Sequence, residues 1–237
     1  MKFSDEGIII SQKKYGENSM IVKVFSQEYG FYRGFVKSIK SAKNKTIFQI
    51  GNLISFEYRA RNEENLGQFH RVDLDKSFCS KIMFDRSRLE CVNALFSILD
   101  DVFLERESQG TLFERVQYFL KTINLEDAKN YLAEYVRLEL EILKVLGYEI
   151  DLSCCVATES TENLAFVSPK SARAVSLEAG EPYRNKLLRL PNFLLKDGEI
   201  IDDEDVQDGL HLTGYFLEKF VYEGRIEKMV VRKRLGA

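Results

Sequence analysis

Between Tyr29 and Phe56 the chain carries Arg33, Lys37, Lys40, Lys43 and Lys45 and no acidic residue, although the whole chain has a net charge of −3. Cations kept clear of acid in an acidic protein point to polyanion binding, most simply of nucleic acid. Strand alternation over Phe31 to Lys37 places Phe31, Arg33, Phe35 and Lys37 on one face, opposite Tyr32, Gly34 and Val36. Such a face suits single strands: rings stack on bases for about 1–3 kcal/mol each, and cations neutralise phosphates. The same alternation equally fits Phe31 and Phe35 in a core, with Arg33 and Lys37 snorkelling out at a rim. The segment Ser38 to Lys45, with three lysines among small polar residues, reads as a mobile phosphate-contacting loop or as a plain solvated one. Lys13, Lys14, Arg59 and Arg61 on flanking strands complete the candidate DNA-binding set.

Other chemistry is thinly represented. Asp202-Asp203-Glu204-Asp205 resembles a metal-binding cluster of a nuclease, but it directly precedes a helical pattern, where carboxylates meet the helix dipole favourably. His70 and His211 are far apart and belong to no zinc-helix motif. There is no phosphate loop ending in Lys-Ser/Thr and no nucleophile elbow, so a non-enzymatic protein is expected. A second basic group, Arg225, Lys228, Arg232, Lys233 and Arg234, lies near the C-terminus.

These residues need elements to hold them. Residues 1–80 carry thirteen Lys/Arg against nine Asp/Glu, and residues 81–237 twenty-one against twenty-eight, which suggests a basic front module on an acidic body. Six glycines precede residue 68, whereas only Gly110 falls between there and Leu146, so strands and turns should give way to helices. Five strands are expected at about Phe3–Lys14, Ser19–Phe25, Phe31–Lys37, Leu53–Arg61 and Gly67–Leu74, with Gly30 in a tight turn and with Ile54, Phe56, Tyr58 and Ala60 on one face of the fourth opposite Ser55, Glu57, Arg59 and Arg61. Five short strands in so few residues suit a closed barrel. Helices are expected from near Asp85, where Leu89, Val92, Phe96, Leu99 and Phe103 recur at three and four as one apolar stripe, from a capping box at Thr111 and Glu114, from about Glu126 to Leu146 with Gly147 as its stop, and over about Asp205–Tyr222. All three prolines fall in the intervening stretch, which reads as an irregular insert over about 148–200. No apolar run is long enough to span a bilayer and the N-terminus is unlike a secretion signal, so a cytoplasmic protein without membrane contact is expected.

Several stretches resemble the RecO family of bacterial DNA repair and recombination mediators. They are Gly7-Ile8-Ile9-Ile10, Tyr15-Gly16-Glu17-Asn18-Ser19, Glu28-Tyr29-Gly30-Phe31-Tyr32-Arg33-Gly34, Gln49-Ile50-Gly51-Asn52-Leu53, Leu146-Gly147-Tyr148 with Asp151-Leu152-Ser153, and Val167-Ser168-Pro169-Lys170-Ser171. The resemblance implies an α+β protein: an N-terminal five-stranded OB-fold barrel over 1–80, then a helical domain over 81–237 carrying the insert. It implies binding of single- and double-stranded DNA, strand annealing, and work at the nucleoid with RecR and the acidic tail of single-stranded DNA-binding protein to load recombinase. A protein-docking adaptor with secondary DNA contact is the alternative. Some members hold zinc with two Cys-x-x-Cys pairs. Here those positions read Cys155, Thr158, Ser176 and Ala179, so no zinc or other cofactor is expected. Cys79 and Cys91 read as small apolar core residues.

Overall fold

A computed structural model describes residues 1–38, 40–62, 65–125, 128–196 and 201–236. By contacts the chain divides into two compact units, Met1–Asn124 and Leu125–Ala237, so two helices group with the barrel rather than with the later part of the chain.

In the first unit, strands β1 (Lys2–Tyr15), β2 (Ser19–Ser26), β3 (Gly30–Lys37), β4 (Asn52–Arg59) and β5 (Gly67–Ser77) form a closed barrel in the order β1-β2-β3-β5-β4. Long β1 makes closure possible: Lys2 to Ile8 pairs with β4, while Gly7 to Tyr15 pairs with β2, across a register shift between Ile9 and Ser11. Gly30 turns the chain between β2 and β3 at φ +77, a conformation that disfavours any side chain. The inner face buries Ile9, Val22, Val24, Tyr32, Val36, Ile54, Phe56, Tyr58 and Phe69, the alternate residues that period-2 patterning selects.

The seam between β3 and β5 is parallel, and among the described residues only Gly34↔Gly67 and Phe35↔Gln68 pair across it. Tyr58 reinforces it: its buried hydroxyl donates to the Arg33 carbonyl and accepts from the Gly67 amide, both at 2.9 Å. Gly67 is required there, since a Cβ would lie 2.3 Å from the Tyr58 ring. Burial pushes the Tyr58 phenol above its ordinary pKa. Tyr58→Phe strands one carbonyl and one amide, and denaturant unfolding should show a loss of about 1–3 kcal/mol with the slope unchanged.

The segment expected to be a loose loop is instead anchored. Helix α1 (Ala42–Ile47) starts at Ser41, whose hydroxyl accepts from the Asn44 amide at 3.2 Å, and Asn44 Nδ2 donates to the Lys37 carbonyl at 2.8 Å. The α1 end places Ile47 and Phe48 in the barrel core, while Asn52 Nδ2 donates to the carbonyls of Thr46 and Ile47. Lysine-rich composition concealed this plug because its two apolar residues follow the polar run. Ile39 lies outside the described residues.

Helix α2 (Arg86–Val102) begins at Asp85, whose carboxylate accepts from the Arg88 amide at 3.1 Å, and buries Val92, Phe96 and Leu99 in the expected stripe. Helix α3 (Gly110–Thr122) is capped at Gln109 without a side-chain bond. The capping box expected at Thr111 and Glu114 is therefore absent: Thr111 already lies inside the helix.

In the second unit, α4 (Ala128–Val145) is apolar over a wide arc and ends before Gly147 at φ +85. The residues just before it, including the expected start at Glu126, lie outside the described set. The insert is more ordered than its composition suggests. Strands β6 (Leu164–Val167), β7 (Ala174–Ser176) and β8 (Leu188–Arg189) form a sheet in the order β7-β6-β8, with a short α5 (Leu177–Gly180). Helix α6 (Asp203–Phe216) starts at a capping box in which Asp202 accepts from the Asp205 amide at 2.8 Å, which accounts structurally for the acidic cluster. It continues as a π turn over Leu217–Val221, and a short α7 (Val230–Lys233) follows.

Candidate nucleic-acid interface

Strand register decides which cations meet. Lys13 pairs with Ile21, Ile21 with Phe35, and Phe35 with Gln68, giving one row on the outer face of β1, β2, β3 and β5. Two residues along, Tyr15, Ser19 and Lys37 make the next row on the same face. The Tyr15 and Phe35 rings meet edge to face at 5.2 Å, with Tyr15 57% exposed. Lys13, Lys14, Lys37, Lys40 and Lys45 are all exposed, and no ion pair to them is found among the described residues, but Lys14 pairs with Met20 and so alternates away from the face that carries Lys13 and Tyr15. An aromatic pair flanked by open ammonium groups can stack a base and neutralise the phosphates beside it. Sequence reading missed Tyr15, because only cross-strand register sets it against Phe35.

The remaining sequence candidates divide. Arg33 shares this face one row further on, with Ser11 and Lys23, but its guanidinium lies 3.5 Å from Glu105 and 4.0 Å from Asp100. Lys43 pairs across solvent with Asp73 at 3.6 Å. Arg59 lies next to Gln68 on β4 and is held by Glu57, which also draws Lys2 at 3.6 Å and Arg71 at 3.7 Å. The Arg59 hydrogen bond keeps the Glu57 carboxyl below its usual pKa. Arg61 is exposed just past the end of β4.

Phe31 is a correction. It is fully buried, stacked between Phe25 at 4.2 Å and Phe103 at 5.0 Å, and offers no ring to a base. Alternation put it beside Arg33, but the α2 end covers that part of the strand. Lys23 explains why. Only 2% exposed, it donates to the Asp100 carbonyl at 2.8 Å, meets the Asp100 carboxylate at 3.0 Å, and lies over the Phe31 ring. A barrel lysine thus satisfies the open carbonyls at the C-terminus of α2, where a cation is favoured. Burial depresses its pKa, while Asp100 opposes the shift. Phe31→Ala should cost about 3–5 kcal/mol of stability, measured by chemical denaturation. Phe35→Ala should leave stability nearly unchanged and weaken oligonucleotide binding by about 1–3 kcal/mol, measured by fluorescence anisotropy.

In the second unit, three of the four positions considered for zinc come together without making a metal site. Burial pushes the Cys155 thiol up, but the hydroxyls of Ser176 and Thr158 and the amides of Ser176 and Ala157 donate to its sulfur and bring it down to about 6. The fourth position, Ala179, has no donor atom. These residues do not fit tetrahedral zinc, and no group of three or more His, Cys, Asp or Glu among the described residues is arranged to hold a metal. Cys91 is buried as expected, and burial pushes the Cys79 thiol to about 11. No helix among the described residues is long and apolar enough to cross a membrane.

A small closed barrel with open cations and rings on one outer face defines a class: proteins suited to long anions held by charge and stacking rather than by base-edge readout. Comparison with known proteins makes this specific. Residues 1–78 match the family described as Recombination protein O N terminal, and residues 83–227 match Recombination protein O C terminal. The chain is 39% identical to the DNA repair protein RecO of Rickettsia peacockii (strain Rustic) over 225 residues, covering 94% of this chain and 92% of that one. It is also 39% identical to the DNA repair protein RecO of Orientia tsutsugamushi (strain Ikeda) over 222 residues, covering 93% and 91%. The chain belongs to the RecO family of DNA repair proteins.

Proposed function

We infer that this protein is a recombinational repair mediator that holds single- and double-stranded DNA irrespective of base order and anneals complementary strands. It works with RecR on DNA coated by single-stranded DNA-binding protein, whose acidic tail it recognises, and helps to load recombinase. The work is non-enzymatic, proceeds without zinc or another cofactor, and takes place in the cytoplasm at the nucleoid. The barrel is read as an OB-fold, because its strand order closes as β1-β2-β3-β5-β4 and α1 plugs it between β3 and β4.

One observation carries the reading: the two adjoining rows that gather Lys13, Phe35, Tyr15 and Lys37 on an open face. Charge and stacking there suit any sequence, as a mediator acting across a genome requires. The deciding experiment anneals complementary oligonucleotides coated with single-stranded DNA-binding protein. Acceleration by this protein, lost when Lys13 and Lys37 are reversed in charge, supports the reading. Unchanged annealing with tight capture of the tail peptide would replace it with a docking adaptor.

A further inference from the structure

The second unit repeats, on a smaller scale, the charge anomaly of the barrel. Residues 125–237 carry fifteen Lys/Arg against twenty-one Asp/Glu, yet after Glu218 there are six cations and only two acids. Arg225, Lys228, Lys233 and Arg234 are exposed. Arg232 holds this segment in place: it is 7% exposed, and its guanidinium donates to Glu139 at 3.0 and 2.9 Å.

A cleft of about 370 Å³ is lined by Leu210, Tyr215, Lys219, Met229 and Lys233 among others, while Arg225, Lys228 and Arg234 adjoin its lining residues Gly224, Met229 and Lys233 along the chain without lining it themselves. Tyr215 is 37% exposed. The Lys219 ammonium lies 5.9 Å from the Tyr215 ring and 4.8 Å from Phe220, and Phe220 stacks in turn on half-exposed Tyr148 at 5.0 Å. Lys233 is partly offset by Glu218 at 3.4 Å, whereas Lys228 and Arg234 have no ion pair among the described residues.

We propose that this cleft and the basic segment around it form a second binding site for single-stranded nucleic acid, separate from the barrel face. Three features favour a strand over a compact anion. The cations are spaced along the chain rather than converged on one point, the partly exposed Tyr215 ring lies beside Lys219, and the cleft is large enough for a base with its sugar. The inference deepens the proposed function, since a protein that brings two strands together benefits from a seat for each.

The test titrates full-length protein with labelled oligothymidine at concentrations far above the dissociation constant. Wild type should bind two strands per chain. The double variant Lys228→Gln/Arg234→Gln and, separately, Tyr215→Leu should bind one, with the remaining site unchanged in affinity and annealing slowed about tenfold. Thermal unfolding of both variants verifies the fold; both are surface changes that leave the Arg232–Glu139 pair intact. A wild-type stoichiometry of one, or two strands still bound by both variants, overturns the proposal. So does displacement of the second strand's claim by an acidic, apolar-ended peptide that binds the cleft while oligothymidine does not. Failure of the barrel reading would look different: Lys13→Glu/Lys37→Glu would leave binding intact while the Lys228, Arg234 and Tyr215 variants still removed one strand.

Discussion

Lys13→Glu/Lys37→Glu should lower affinity for single-stranded DNA by ten- to a hundredfold on the order of magnitude at low salt, with the slope of log affinity against log salt reduced by about 1.4. The two lysines sit on adjoining outer rows around Tyr15 and Phe35 and lack ion pairs among the described residues, so each is available to displace condensed counterions. Arg33→Glu should do much less to the slope. Its guanidinium already faces Asp100 and Glu105, and a phosphate has to compete with both carboxylates. Anisotropy titrations of a labelled oligonucleotide at several salt concentrations measure both quantities. Equal losses from the two variants would place the DNA-binding surface elsewhere on the barrel.

Arg232→Met should destabilise the second unit by about 3–5 kcal/mol, because it leaves the Glu139 carboxylate, 0% exposed, buried without its counter-charge. Three elements meet there. Arg232 donates to both oxygens of Glu139 on α4 and to Thr213 Oγ1 on α6 at 3.1 Å, tying the C-terminal segment to two helices. Thr213 Oγ1 also donates to Glu139 Oε2. The double variant Glu139→Leu/Arg232→Met should recover much of the loss, since an apolar pair of similar volume needs no desolvation of charge. Urea unfolding followed by circular dichroism distinguishes them. A double variant as unstable as Arg232→Met would show that packing, rather than the orphaned carboxylate, sets the cost.

Sequence alone determined whatever depends on local periodicity and local backbone chemistry. Alternation marked β4 and its inner Ile54, Phe56 and Tyr58, the three-and-four spacing marked Val92, Phe96 and Leu99, and Gly30 and Gly147 marked a turn and a helix end. The acidic run at Asp202 was legible as a helix start for the same reason: a cap bonds to amides within three residues. The RecO resemblance rested on short motifs in order and is supported by matches over both parts of the chain.

Only the tertiary structure decided which members of the basic strip face solvent. Phe31 and Phe35 are indistinguishable by alternation, yet one is fully buried under Phe103 and the other is only partly covered beside Tyr15. Lys23 looks like any strand lysine until the end of α2 settles on it, and Arg33 looks free until Asp100 and Glu105, about seventy residues later, arrive beside it. Charge acts through space and burial depends on what covers a face, so neither can be read from neighbours in the chain. Residue type supplied the cations and rings; the barrel's register and the helix laid against it chose which of them remain available to bind.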